Sequence, residues 1–195
     1  MDQESIENAI PFYLGKETRE GIKRAFERWK EKPIHFYIEY GDPEAIQGDG
    51  LAAVQIFNPD TGKPRLANVV VISNSCDIAQ TDPKGPFSKI LVAPLIDFEK
   101  YISSLEGRGL TQQQIKSQVT DIKNQEVTHL FHFPKIPNLG NKDYIISLND
   151  LYSIHINSLG KPAKKTFTMH QEGFYLFIFK LSIHFCRFSE NLKRA

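Results

Sequence analysis

Asn68-Val69-Val70-Val71-Ile72-Ser73-Asn74-Ser75-Cys76-Asp77 is the stretch on which the fold turns. Its apolar run is continuous rather than alternating, the pattern of a strand covered on both faces. The polar string from Ser73 to Asp77 is then what a buried strand sets down where it ends. Upstream, Leu51 to Phe57 is apolar-rich and Asn58-Pro59-Asp60-Thr61-Gly62-Lys63-Pro64 has turn chemistry, so 51–57 and 67–73 are expected to pair as a hairpin. Downstream, Asp82-Pro83-Lys84-Gly85-Pro86 breaks the chain before a third run, Lys89 to Leu95. Three strands therefore fall in close succession, with Cys76 and Asp77 among the polar residues that leave the end of the buried one.

Farther out the period changes. Residues 98–126 are expected to be helical, with Thr111-Gln112-Gln113-Gln114 forming a capping box and Gly107-Arg108-Gly109 separating off a shorter helix. Strand-like text returns at 129–133, 144–148 and 152–156, so the helices read as inserted into a β fold. Residues 161–165 form a small basic linker. The closing segment, 174–190, reads both ways, its ~20-residue length without a turn residue favouring helix and its Phe-rich composition favouring strand; as a helix, the reading adopted, Lys180, His184, Arg187 and Asn191 fall on one polar stripe, and as a strand Lys180, Ser182, His184 and Cys186 share a face. At the other end, Ile22, Ala25, Phe26 and Trp29 have helical spacing within 16–31, and Thr18 is available as its N-cap. Ile34 to Ile38 has the composition of a strand or an extended arm. The organisation expected is an N-terminal helical extension over 1–45, a central β fold over 46–160 with a helical insertion at 98–126, and a C-terminal segment over 161–195, all in one domain.

Composition narrows the class. The chain has 195 residues, 24 Lys+Arg against 23 Asp+Glu and 41% hydrophobic content, and at this length roughly 70% of the unfolded surface is buried on folding. A net charge of +1 gives no global pull toward nucleic acid or anionic lipid, so any such binding is left to local patches. Two cysteines, Cys76 and Cys186, make no disulfide framework, and the acidic start Met1-Asp2-Gln3-Glu4-Ser5 lacks the pattern of a signal peptide. The longest apolar run, Phe174 to Phe179, ends at Lys180, far short of the ~20 residues that span a bilayer. A cytoplasmic protein without membrane contact is expected.

Several of these pieces resemble the SH3-like toxin barrels of the PemK, MazF and CcdB superfamily from toxin–antitoxin modules. Gly48-Asp49 looks like that family's opening strand, Arg65 ahead of Val69-Val70-Val71-Ile72-Ser73 like its Arg-Pro-x-Val-Val-Leu-Ser strand, and Leu91-Val92-Ala93-Pro94 like its Val-x-Pro strand. His129 to Pro134 and Lys142 to Ile154 look like its closing strands. The chain is also similar to uncharacterised bacterial proteins with a Ser-x-x-Cys-Asp-Ile signature. The resemblance implies an α+β fold, an SH3-like β-barrel with an N-terminal helix, inserted helices and a C-terminal helix. It also implies RNA cleavage without a metal or other cofactor. Arg65 stands one position away from the family's arginine, and Leu95-Ile96 occupies the place of its hydroxyl residue.

Cleaving RNA through its own 2′-hydroxyl takes a base, an acid and a cation for the developing charge. Asp77, His184 and Arg65 are of the right types, with Arg187 or Lys180 to steady the phosphate. Against this, Asp77 can simply cap a turn, and His184 and Arg187 can pair with neighbouring carboxylates. Cys76 reads either as the nucleophile of a thiol hydrolase or as a small inert residue. Cys76, His184 and Cys186, or His129 with His132, have ligand chemistry, but no His-Glu-x-x-His or second cysteine pair accompanies them, so no metal site is assigned. Lys161, Lys164, Lys165, Lys193 and Arg194 with Phe167 offer a modest phosphate patch and a base to stack on. Three functions follow as expectations: an RNA-binding or RNA-cleaving enzyme, a non-catalytic module for protein or nucleic acid, and a Cys76-dependent hydrolase. Their partners would be RNA, an antitoxin or other protein, and a second copy of the chain.

Overall fold

The computed structural model describes residues 16–17, 20–21, 24, 35–38, 44–58, 61–80, 82–85, 88–159 and 164–186. The expected helix at 16–31 lies mostly outside them, but its described residues are helical, and Gly21 presses on the Tyr175 ring too closely for a Cβ.

The valine strand forms as its pattern predicts. Strands β1 (Tyr37–Ile38), β2 (Gly50–Asn58), β3 (Lys63–Val71), β4 (Lys89–Pro94), β8 (Tyr152–His155) and β9 (Lys165–Met169) make an antiparallel sheet in the order β1-β9-β2-β3-β4-β8. Strands β5 (Ile96–Asp97), β6 (Leu130–Ile136) and β7 (Lys142–Ser147) make a second sheet in the order β5-β7-β6. Helices α1 (Ser75–Gln80), α2 (Phe98–Glu106), α3 (Gln112–Lys123) and α4 (Gln171–Cys186) complete an α+β architecture. The larger sheet does not close, since β1 and β8 are its two ends, so the closed SH3-like barrel that the resemblance implies is corrected to an open antiparallel sheet.

Both faces of β3 are covered, which is why its apolar run does not alternate. Val70 and Ile72 face a core shared with Phe131, Phe133 and Ile146 of the smaller sheet and with Leu176, Phe177 and Phe179 of α4. Val69 and Val71 face the other way, onto Leu51, Val54, Ile56, Val92 and Ile78 of α1. A third cluster, Phe98, Ile122, Leu130 and Ile145, seats α2 and α3 on the smaller sheet. The capping box forms as expected, Gln114 N–H reaching Thr111 and the Thr111 N–H reaching the Gln114 side chain at 2.9 Å. Asp97 caps α2 by accepting from Glu99 and Lys100.

Two smaller readings also need correction. Residues 161–165 are not all linker: Lys165 opens β9, which inserts between β1 and β2 and pairs Tyr37 with Met169 and Gly50 with Phe167. The polar stripe expected on the closing helix is also broken, because Lys180 is 3% exposed. Gly50 matters for the β9 insertion, since any Cβ there would collide with Phe167 and Thr166. Just before it, Gly48 takes φ +88°, and its N–H bonds the Val71 carbonyl at 2.9 Å, tying this turn to the end of the valine strand.

Candidate functional site

The end of β3 explains most of the letters in Ser73 to Ile78. Ser73 Oγ accepts from Leu91 N–H, Ser75 Oγ accepts from Gln47 N–H, and Asn74 Oδ1 accepts from Cys76 N–H. Ile78 is buried beneath α1. Cys76 and Asp77 are exposed in the first turn of α1. Asn74, not Asp77, receives the helix's leading N–H.

The remaining candidates are spread over the molecule. Arg65 is exposed on β3 opposite Ile56, and six residues of strand at ~3.3 Å each put it about 20 Å along β3 from Val71, the end that leads to Asp77. His184, half-buried on the last turn of α4, neighbours Leu148 and His129; burial, and then the charge of His129, hold its pKa below the usual value. Lys180 lies one turn before it but points inward, donating to the Gln125 and Val127 carbonyls at 2.5 and 2.6 Å, so the phosphate-steadying role is corrected to an internal one. Lys165 is likewise committed, its ammonium 2.7 Å from Asp49 Oδ2. Arg187 lies outside the described residues. Among the described residues no group of three or more His, Cys, Asp or Glu is gathered as for a metal, and Cys76 and Cys186 are free exposed thiols.

A site that the sequence reading passed over lies where β1 and β9 face the β6–β7 hairpin. There a cleft of about 580 Å³ is lined by His35, Phe36, Tyr37, Lys135, Asn138, Thr166 and Phe167, among others. Its walls are fixed by hydrogen bonds. Tyr37 donates to the Pro134 carbonyl at 2.9 Å, and Asn138 donates to the Thr166 carbonyl at 2.9 Å. Lys135, at φ +42°, is held by its N–H bond to Asp143 Oδ1 at 3.0 Å. Burial, then the nearby Asp143 charge, push the Tyr37 phenol well above its ordinary pKa, so it stays protonated and keeps donating. Thr166 Oγ1 is buried without a hydrogen-bond partner, a group that costs about 1–3 kcal/mol to leave unpaired.

Behind the cleft, Asp143 accepts from His132 Nε2 at 3.1 Å. Since a carboxylate only accepts, the ring proton sits on Nε2 and leaves Nδ1 a bare lone pair, which is buried and unpartnered. Burial depresses the His132 pKa despite the pull of Asp143, so the ring is neutral. With His132 4% exposed and the Phe98 ring 5.3 Å away, no substrate reaches that lone pair; the pair pins the hairpin rather than acting as a general base. Burial raises the Asp143 pKa, but the Lys135 N–H, His132 and Lys123 together outweigh it and hold the carboxyl below its usual range. Asp143→Asn is therefore expected to lower the His132 pKa further and to cost about 1–3 kcal/mol of stability. An NMR titration of the imidazole with urea unfolding checks both, and an upward shift of the imidazole contradicts the arrangement.

No family model and no curated protein matches the chain.

Proposed function

We propose that this protein is a non-catalytic module that binds single-stranded nucleic acid, built on an opened-out form of the SH3-like barrel that PemK, MazF and CcdB toxins carry. The observation that carries the reading is the cleft, where an aromatic floor of Phe36, Tyr37 and Phe167 meets Lys135 and Asn138. Flat apolar walls suit an unpaired base, the amide suits its polar edge, and a lysine suits the adjoining phosphate. The ~20 Å of β3 between Arg65 and its Asp77-bearing end supports binding over cleavage, because a base and a phosphate-holding cation must meet at one scissile bond.

The test is fluorescence anisotropy with labelled single-stranded RNA of about 12 nucleotides, against duplex RNA of the same sequence. Salt-sensitive binding of the single strand is expected, weakened about tenfold by Lys135→Glu. Thr166→Val serves as the control: it is expected to leave binding unmoved and the unfolding midpoint unchanged or raised, because that hydroxyl is sealed against Gly50 and has no partner of its own. Absence of binding at low salt, or indifference to Lys135→Glu, rules the cleft out. Cleavage of the RNA that is lost with Asp77→Ala restores the enzymatic reading instead.

A further inference from the structure

The same strand that anchors the core leaves half of its length uncovered on one side. Strand β4 pairs with β3 only across Val69, Val70 and Val71, and its last bond to that strand is Leu95 N–H to the Asn68 carbonyl at 2.8 Å. The chain then departs into β5 and the smaller sheet. From Ala67 back to Lys63, among the described residues, β3 has β2 on one side and no strand on the other.

Alternation says what that free edge offers. In an antiparallel ladder a residue's N–H and C=O point to the same side. Asn68 and Ile72 bond toward β4, whereas Val71 bonds back to Asp49 beside β2. The even-numbered residues Leu66 and Pro64 therefore turn their backbone outward: a Leu66 N–H, a Leu66 carbonyl and a Pro64 carbonyl are in position to continue the ladder. Side chains divide the same way. Lys63 and Arg65 project on one face, and neither makes an ion pair with a described residue. Pro64 and Leu66 share the other face with Phe57, and Leu66 and Phe57 are 69% and 58% exposed. Open edges of this kind are templates for strand addition.

We propose that this edge, residues 63–67, docks an extended segment of a partner protein in which acidic and apolar residues alternate, as an added antiparallel strand. Charge selects that occupant over a second copy of the chain. Two-fold self-pairing must place a residue opposite itself: centred on Arg65 it sets arginine against arginine, centred on Pro64 it sets Lys63 against Arg65, and centred on Leu66 it runs Pro64 and Lys63 of the second copy onto Asn68 and Val69, whose outer side β4 and Leu95 already occupy. Like charges directly opposed on one face destabilise a pair. A segment with carboxylates opposite Lys63 and Arg65, and apolar side chains beside Leu66 and Phe57, satisfies both faces at once. The cleft and its ligand have no part in this.

The test uses the full chain with fluorescein-labelled peptides EVEVE and KVKVK in anisotropy titrations. Binding of EVEVE, weakening with salt, and none of KVKVK is expected. The double substitution Lys63→Glu and Arg65→Glu should weaken EVEVE about tenfold and admit KVKVK. Leu66→Pro removes the outward N–H and an exposed side chain but no bond to β2, so it should weaken EVEVE while the unfolding midpoint holds. Equal binding of both peptides, or an EVEVE affinity unmoved by charge reversal, overturns the proposal. So does a dimer in sedimentation that Leu66→Pro abolishes, which gives the edge to a second copy.

Discussion

Lys165→Met is expected to destabilise the protein by about 3–5 kcal/mol, the cost of stranding a buried charge. Asp49 is 0% exposed, and its Oδ2 is held by the Lys165 ammonium at 2.7 Å and the Ile46 N–H at 3.0 Å. Its other oxygen, Oδ1, has no hydrogen-bond partner, so removing the ammonium leaves a sealed carboxylate with one backbone donor. The reverse change, Asp49→Asn, is expected to be milder, because the Lys165 side chain keeps 16% exposure and can turn its charge toward water. Combining Asp49→Asn with Lys165→Met should cost distinctly less than the sum of the two, since no unpaired charge remains. Urea unfolding of the three variants measures this coupling. A Lys165→Met protein within about 1 kcal/mol of wild type would show that the ion pair is not what seats β9 on β2.

Raising the pH from about 8 toward 10.5 is expected to strengthen the fold through Lys180. Burial, opposed by the attraction of Glu126, brings this lysine's pKa from 10.5 down to about 8. Between those values the unfolded chain holds a proton that the folded chain has released, so unfolding becomes less favourable as pH rises. Below pH 8 both states are protonated and the whole cost of burying the charge is present, about 3 kcal/mol at 1.36 kcal/mol per pH unit. The neutral amine still has two N–H donors for the Gln125 and Val127 carbonyls, so the bonds survive its titration. Subtracting the pH profile of a Lys180→Met variant removes the contributions of other groups, and the stability of wild type relative to the variant should rise by about 3 kcal/mol from pH 7 to above 10.5. Parallel profiles refute it.

Lys180 also shows where the sequence stops being legible. A lysine in Phe174-Tyr175-Leu176-Phe177-Ile178-Phe179-Lys180 reads as the polar end of an apolar run, because its partners are backbone carbonyls more than 50 residues away, and carbonyls carry no residue type. The valine strand was readable because its signal is local: continuous branched apolar residues mean cover on both faces, and Val69 with Val71 and Val70 with Ile72 divide as that requires. The Thr111 capping box was readable for the same reason, whereas the closing segment was not, since its length argued for helix and its Phe-rich composition for strand before the structure showed a helix. Strand β9 was not, since its alternation is short and begins inside a lysine-rich stretch, although Thr166-Phe167-Thr168-Met169 alternates polar and apolar residues and offered a signal. The cleft showed in the sequence only through Phe167, a ring on which a base could stack. Its walls come from β1, β9 and the β6–β7 hairpin, and its geometry depends on an Asp143 bond to a backbone N–H rather than on any motif.

The late arrival of β9 has a consequence for how the chain is made. Residues 165–169 insert between two strands that are synthesised more than a hundred residues earlier, Tyr37 meeting Met169 and Gly50 meeting Phe167. Until the ribosome has delivered them, the β2–β3–β4 portion must wait without its β9 neighbour, and β1 without the one strand it pairs with among the described residues. A nascent or prematurely terminated polypeptide ending before Lys165 thus carries an exposed strand flank and an uncompensated Asp49, the features by which quality-control proteases and chaperones recognise unfinished clients.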